Sequence, residues 1–378
     1  MAGLYIHIPY CVKKCDYCDF VSFCENDSIG RYVSALIREI EMTAQETSSR
    51  QEFGTVFFGG GTPSLLSGEQ MCRIMDALRE NFSVPANAEC SMECNPGTAT
   101  AANLRDYRAA GINRLSIGLQ SASDALLKRV GRIHTYVQFS DTLRYARDAG
   151  FENIGVDVMH GLPGQTQADY LSTLKTVCDT GVTHVSAYAL TLAEGTPLDE
   201  RVSSGETILP DEDDVADMQD AGIEYLESRG YLRYEISNFA RPGFECLHNL
   251  NYWENGEYLG LGVAAHSAVR LRQWTRYSNV ETLKEYFRLV ERGRRPLQET
   301  IRLYPADEMF ECVMLGLRLV RGVERAAFRE RFGADMAQVY PEAMEKLRAR
   351  GWVEETEERI ALNKLGLDLQ NEALDFFM

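Results

Sequence analysis

The chain has 378 residues, a formal net charge of −17, 45% hydrophobic and 25% charged residues, enough for a sizeable core in two domains or in one large barrel with an appendage. So acidic a chain repels phosphate backbones, which argues against nucleic acid and anionic membrane as main partners. No apolar run is long enough for a membrane helix, although transient membrane association stays open, and the start MAGLYIHIPYC has no signal-peptide pattern; a cytoplasmic protein with reduced cysteines is expected.

LYIHIP (Leu4–Pro9) reads as a strand, and DSIGRYVSALIREIEMTAQ as a helix capped at Asp27 or Ser28, with Ile29, Val33, Leu36, Ile37 and Ile40 at helical spacing. TVFFGG is the next strand and Glu69–Phe82 the next helix; ECSMECNP, RLSIGLQ, NIGVDVMHG and HVSAYAL continue the strand series, with helical stretches such as Gln167–Thr180 between them. About six strand–helix units of roughly 30 residues imply a parallel sheet, as a full or partial barrel or a doubly wound sheet. After Leu190 the polar, turn-rich LAEGTPLDERVSSGETILPDEDD reads as a linker, followed by a helix over Asp213–Ser228 and a short strand in RYEISNFA. HNLNYWENGEYLGLGVAAHS fits no period, and from about Pro305 the chain looks helical and ends in a winged-helix-like pattern. The domain expectation is therefore a partial barrel over 1–200, a barrel extension over 201–300 and a C-terminal helical module over 301–378.

Cys11, Cys15 and Cys18 lie just after the first strand, at the strand end where a parallel barrel carries its chemistry. Three thiolates hold three irons of a cubane cluster and leave the fourth open to a small molecule; a three-cysteine zinc site with a distant fourth ligand is the alternative. On the same face fall Gly59, Gly60, Gly61 and Thr62 after the second strand, Glu93 at the end of the third, Gln120 at the end of the fourth, Arg132, and Asp157 within the fifth. Glycines let a backbone approach a ligand, and a charge in a strand is costly unless paired or bound. Each of these taken alone is as readily a structural turn or ion pair. Cys72, Cys90, Cys94, Cys178, Cys246 and Cys312 read as core, Cys24 fits no ligand pattern, and a ligand role for His266 stays open.

The cysteine loop is the Cys-x3-Cys-x2-Cys pattern of the radical S-adenosylmethionine superfamily, which the chain resembles. The order GGGTPS, Glu93-x-Asn95-Pro96, GLQS, GRIH, Asp157-x-Met159-x-GLPGQT and YEISNFAR is similar, from about residue 4 to 270, to the oxygen-independent coproporphyrinogen III oxidase-like (HemN/HemW) family. The resemblance implies an incomplete (β/α)6-type barrel, a [4Fe–4S] cluster on Cys11, Cys15 and Cys18, and S-adenosylmethionine held by Gly59, Gly60, Gly61, Thr62, Glu93, Gln120, Arg132 and Asp157. In the superfamily the reduced cluster cleaves S-adenosylmethionine to a 5′-deoxyadenosyl radical, which requires an electron donor. The family has an oxidase branch, which decarboxylates coproporphyrinogen III, and a heme chaperone branch. Phe20 stands where the oxidase has a fourth cysteine, and no long N-terminal extension precedes Cys11; both match the chaperone branch and put oxidase activity in doubt. HNLNYW matches that branch's heme motif, implying heme at His248, Asn249, Tyr252 and Trp253, although a core histidine with packing aromatics is the better reading from the residues alone. An unidentified heme-acceptor protein is the expected partner. Ala193 and Glu194 depart from the family's usual Glu-Pro-Gly-Thr.

Overall fold

Near-continuous apolar runs build the centre of the molecule because those strands are covered on both sides. The computed structural model describes residues 2–46 and 51–378. In chain order come β1 (Ala2–Ile8), α1 (Ile29–Glu46), β2 (Phe53–Gly60), α2 (Gly68–Asn81), β3 (Glu89–Cys94), α3 (Ala101–Ala109), β4 (Arg114–Gln120), α4 (Asp124–Arg129), α5 (Tyr136–Asp148), β5 (Asn153–His160), α6 (Gln167–Asp179) and β6 (His184–Ala189). Neighbouring strands from β1 to β6 pair in parallel. Four of the outer helices open with a capping box: Ser67 with Gln70, Thr100 with Asn103, Thr135 with Gln138, and Thr166 with Asp169. Each box satisfies orphan N–H groups and fixes where a loop at the mouth ends and its helix begins.

The chain continues through α7 (Pro197–Ser203), α8 (Glu212–Ser228), β7 (Leu232–Arg233), β8 (Asn238–Ala240), α9 (Leu247–Trp253), β9 (Tyr258–Leu261), β10 (His266–Arg270), β11 (Trp274–Asn279), α10 (Leu283–Glu291) and β12 (Leu297–Arg302). β9 adds to β1 in parallel, while β10, β11 and β12 extend that side antiparallel and β8 and β7 extend the β6 side. The 12-stranded sheet runs β12-β11-β10-β9-β1-β2-β3-β4-β5-β6-β8-β7, an open, incomplete barrel. Every residue of β12 is exposed.

Two expectations change here. The linker contains α7, whose Leu198 is buried. RYEISNFA is a hairpin rather than one strand, because the buried Glu235 carboxylate turns the chain by accepting from the Ser237 N–H at 2.9 Å and from the Asn238 amide.

Then follow α11 (Pro305–Gly316), β13 (Val323–Glu324), α12 (Arg325–Phe332), α13 (Met336–Val339), α14 (Pro341–Arg350), β14 (Val353–Glu355), β15 (Arg359–Leu362), α15 (Lys364–Asp368) and α16 (Gln370–Asp375). The 3-stranded sheet β13-β15-β14 and these helices share their own core, with Val313, Phe328, Met344, Leu347, Trp352 and Ile360 at its centre. Glu308 ties this module to the barrel wall by accepting from both Arg270 and Arg331. No helix of the described residues is long and apolar enough to cross a membrane.

Candidate functional site

The C-terminal ends of β1 to β6 form the mouth of the barrel, and the loop after β1 brings the three thiols there. Cys11, Cys15 and Cys18 are half-buried and act electrostatically on one another, and burial raises the Cys11 and Cys18 thiols above their usual range. The loop is held at several points. The Cys11 N–H donates to the Phe23 carbonyl at 2.9 Å and the Asp16 N–H to the Val130 carbonyl at 3.1 Å. Arg201 of α7 reaches Asp16 at 2.8 Å, and the Leu198 N–H donates to the Asp16 carbonyl at 2.8 Å. The stretch that looked like a linker thus straps the cysteine loop. Phe20 is 63% exposed at its end, and Cys24 is exposed beside Cys11.

Cys11, Thr62, Asn95, Arg132 and Cys15 form one hydrogen-bonded chain, with the other mouth residues held in separate pairs beside it. Thr62 donates to Cys11 Sγ at 3.4 Å and receives the Asn95 amide at 2.8 Å. Arg132 donates to Asn95 Oδ1 at 2.9 Å and to Cys15 Sγ at 3.5 Å, while its buried Nε has no partner. Gln120 sits in the left-handed region at φ 69° where β4 shifts register against β5, and receives the Tyr188 hydroxyl at 2.9 Å. Asp157 accepts from Ser116 at 2.9 Å. Burial, and then the nearby Asp157, push the Glu93 carboxyl up to about 8, against the Gly60 N–H that donates to it at 3.2 Å. Two of the three glycines are dictated by packing. Gly60, at φ 107°, leaves no room for a Cβ because the His7 ring lies 2.4 Å from where it would be, and a Cβ on Gly61 would meet the Tyr10 backbone at 2.7 Å.

These residues fit a cubane cluster with a zwitterionic, sulfonium-bearing ligand. Three thiols on one loop present soft donors. No group of three or more His, Cys, Asp or Glu among the described residues is arranged to hold a single metal ion, whereas the thiolates of a cubane each take a different iron. Beside them lie an arginine with an unpartnered buried nitrogen and two acidic side chains. Asn95, Tyr188 and Ser116 were not singled out from the sequence; Asn95 lies in the same E-x-NP stretch as Glu93 and was the most accessible of the three.

His248 lies at the other end of the barrel. α9 closes the N-terminal ends of the strands, and the Glu89 carboxylate at the start of β3 accepts the N–H groups of Leu247 at 3.0 Å and His248 at 3.1 Å, a charge well placed at a helix start. His248 is fully buried. Its Nδ1 is 2.8 Å from Thr55 Oγ1 and its Nε2 is 2.8 Å from the Tyr252 hydroxyl, with Phe57 stacked at 5.1 Å. Burial, and then Arg114, lower its pKa to about 3, so the ring is neutral and its one donor and one acceptor are both engaged. Asn249, Tyr252 and Trp253 are half-buried on the same helix, and Trp253 stacks under Arg318 at 5.8 Å. The site residues thus divide between two ends: cysteines, glycines, Glu93, Gln120, Arg132 and Asp157 at the mouth, and the HNLNYW residues at the floor.

A parallel barrel with three thiols on its first loop defines a radical S-adenosylmethionine protein. The model of the radical SAM superfamily matches residues 5–177 and that of the HemN C-terminal domain residues 303–369; the superfamily implies S-adenosylmethionine and a [4Fe–4S] cluster. Curated relatives that match over the whole chain include the heme chaperone HemW of Bacillus subtilis, 34% identical, covering 100% of this chain and 99% of the relative, and that of Escherichia coli, 36% identical, covering 100% and 98%. The chain belongs to the HemW family. Its fold is also similar to the solved structure of the coproporphyrinogen III oxidase HemN from Escherichia coli, with a TM-score of 0.85 at 26% identity over 100% of this chain and 89% of that one.

Proposed function

We propose that this chain is a cytoplasmic heme chaperone that binds heme and passes it to an acceptor protein. The observation that carries the reading is the end-to-end similarity to relatives named heme chaperone. Phe20, exposed where the oxidase branch has a cysteine, agrees with it. In this reading Cys11, Cys15 and Cys18 hold the cluster, and Gly59, Gly60, Gly61, Thr62, Glu93, Gln120, Arg132 and Asp157 surround S-adenosylmethionine. When bound, the pair supplies one-electron reductive cleavage of a carbon–sulfur bond, with the electron from a separate donor. The chain's own residues position that chemistry: Arg132 spans from Asn95 to Cys15, and Gly60 and Gly61 let the β2 loop lie against His7 and Tyr10. Burial and the nearby Asp157 push the Glu93 carboxyl up to about 8 in the ligand-free chain, and a cationic ligand beside it would favour the carboxylate.

The motif HNLNYW favours a second reading of the heme site, with His248 as ligand and Asn249, Tyr252 and Trp253 around the macrocycle. It requires the ring to leave Thr55 or Tyr252 and α9 to leave the floor. The function is tested by titrating heme into the anaerobically reconstituted protein and following the visible spectrum, then adding an apo-acceptor. A single saturable step with stoichiometry near unity, followed by transfer, is expected. Absence of a saturable step, together with vinyl products from coproporphyrinogen III, S-adenosylmethionine and a reductant, would replace this reading with the oxidase one.

A further inference from the structure

His248 is sealed, but a second imidazole faces the mouth. Gly3 of β1 pairs with Tyr258 of β9, and Tyr258 pairs with Ala268 of β10. Paired residues share a sheet face and alternate residues return to it, so His266 lies on the same inner face as Gly3, Tyr5 and His7. It is exposed, and its ring has no hydrogen-bond partner among the described residues. It acts electrostatically on His7, whose Nε2 is 2.9 Å from the Val21 carbonyl oxygen, one residue beyond the exposed Phe20. At the barrel rim the buried His7 thus lies near the exposed imidazole of His266 and contacts the backbone next to the exposed Phe20.

The turn that presents His266 is held rigidly. Ala264 sits at φ 56° and Gly262 at φ 104°, and a non-glycine residue in that region costs roughly 1 kcal/mol. The conformation is fixed by a buried carboxylate. Glu39 accepts the Gly262 N–H at 2.8 Å, the Asn279 amide at 2.6 Å and the Tyr286 hydroxyl at 2.5 Å. Asn279 also donates to the Gly262 carbonyl at 2.8 Å, and the Val263 N–H donates to the Tyr32 hydroxyl at 3.1 Å. Backbone strain maintained by its surroundings is found disproportionately at functional sites.

A lone imidazole does not hold a bare metal ion, and no cluster of three ligating side chains is available there among the described residues. It does hold iron that arrives with its own equatorial donors, as the four pyrrole nitrogens of a porphyrin provide. We infer that a metalloporphyrin docks at this rim, with a nitrogen of His266 giving its lone pair to the iron in place of a water ligand and with Phe20 lying along the macrocycle. The step exchanges one neutral ligand for another and changes no oxidation state. The inference rests on the heme-chaperone reading and names the ligand that reading lacks while α9 is docked.

The test is a ferric heme titration of the wild-type, His266→Ala, His248→Ala and Thr55→Val proteins, read by affinity and by the spin state in the visible and electron paramagnetic resonance spectra. His266→Ala is expected to lose roughly tenfold or more in affinity together with the imidazole-ligated signal, and free imidazole is expected to restore that signal. Because His248→Ala opens a hole in the floor, Thr55→Val, which loosens His248 on its other side, provides the second floor variant, and it is expected to stay within about twofold of wild type. Wild-type binding that survives His266→Ala with an unchanged spectrum overturns the inference and leaves the chaperone reading standing. Absence of saturable binding in the wild type removes both.

Discussion

The groups assigned to the mouth of this barrel and His248 at its floor are held by opposite rules. At the mouth, half-buried thiols, an arginine with an unpartnered nitrogen and a carboxyl displaced from its usual range lie together, an arrangement that leaves groups ready for something not made of protein. At the floor, Glu89 caps α9, and Thr55 and Tyr252 occupy both nitrogens of His248, which is how buried polar groups are expected to behave. Two sets of residues with comparable chemical potential thus differ in whether their bonds are already spent.

The sharpest way to break the contrast is at the cysteines. Replacing Cys11, Cys15 or Cys18 by alanine is expected to abolish retention of iron and sulfide after anaerobic reconstitution, measured by chemical analysis, while Cys24→Ala retains them; equal loss in Cys24→Ala would redraw the ligand set. Next comes the floor. His248→Ala removes a buried ring and strands two hydroxyls, and should cost about 2–4 kcal/mol in denaturant unfolding; a cost near zero would mean that α9 is not docked in solution.

The two ends should also respond oppositely to pH. Glu93 has a folded pKa raised to about 8, so the folded apo-protein holds its proton more tightly than the unfolded chain. Its contribution is whole below the ordinary carboxyl range and is lost as pH rises toward 8. His248 has a folded pKa lowered to about 3, so its contribution is present above the ordinary histidine range and is lost as pH falls toward 3. Each gives a slope of up to ~1.4 kcal/mol per pH unit. Unfolding of Glu93→Gln should lose the alkaline slope and that of His248→Gln part of the acid slope; unaltered slopes in both variants would refute the assignment. Smaller still, Glu89→Gln should cost about 1 kcal/mol through the N–H groups of α9, seen as a lower unfolding midpoint, whereas the same variant at wild-type stability would show that the charge is dispensable. Gln120→Gly should relieve the strain at φ 69°, worth about 1 kcal/mol, while removing the partner of Tyr188. A weaker S-adenosylmethionine affinity with little change in stability is expected from equilibrium dialysis.

Much of the mouth was legible in the sequence because most of its groups lie in a strand or just after one, and strands reveal themselves by apolar runs. Thr62, Glu93, Gln120, Arg132 and Asp157 could be placed near one another without coordinates once the strand order was parallel. The floor was not legible in this way. α9 spans only Leu247–Trp253, too short for its period to register, and it is held by Glu89 from a strand far away in sequence. The strap made by α7 was hidden for a similar reason: one buried residue of the helix, Leu198, and contacts of Leu198 and Arg201 to the distant Asp16 and Arg129 hold it in place. β10 to β12 carry no apolar run because β11 alternates and β12 faces solvent throughout.

That last strand has a consequence for how copies of this chain can meet. An uncovered strand edge is a template for another strand, and the sheet has two edges, β12 and β7. β7 is only two residues long, whereas β12 is six and bears Glu299 and Arg302 on its exposed faces. With a single usable margin, lateral joining through the sheet closes on itself as a pair and leaves no free edge to propagate a fibre.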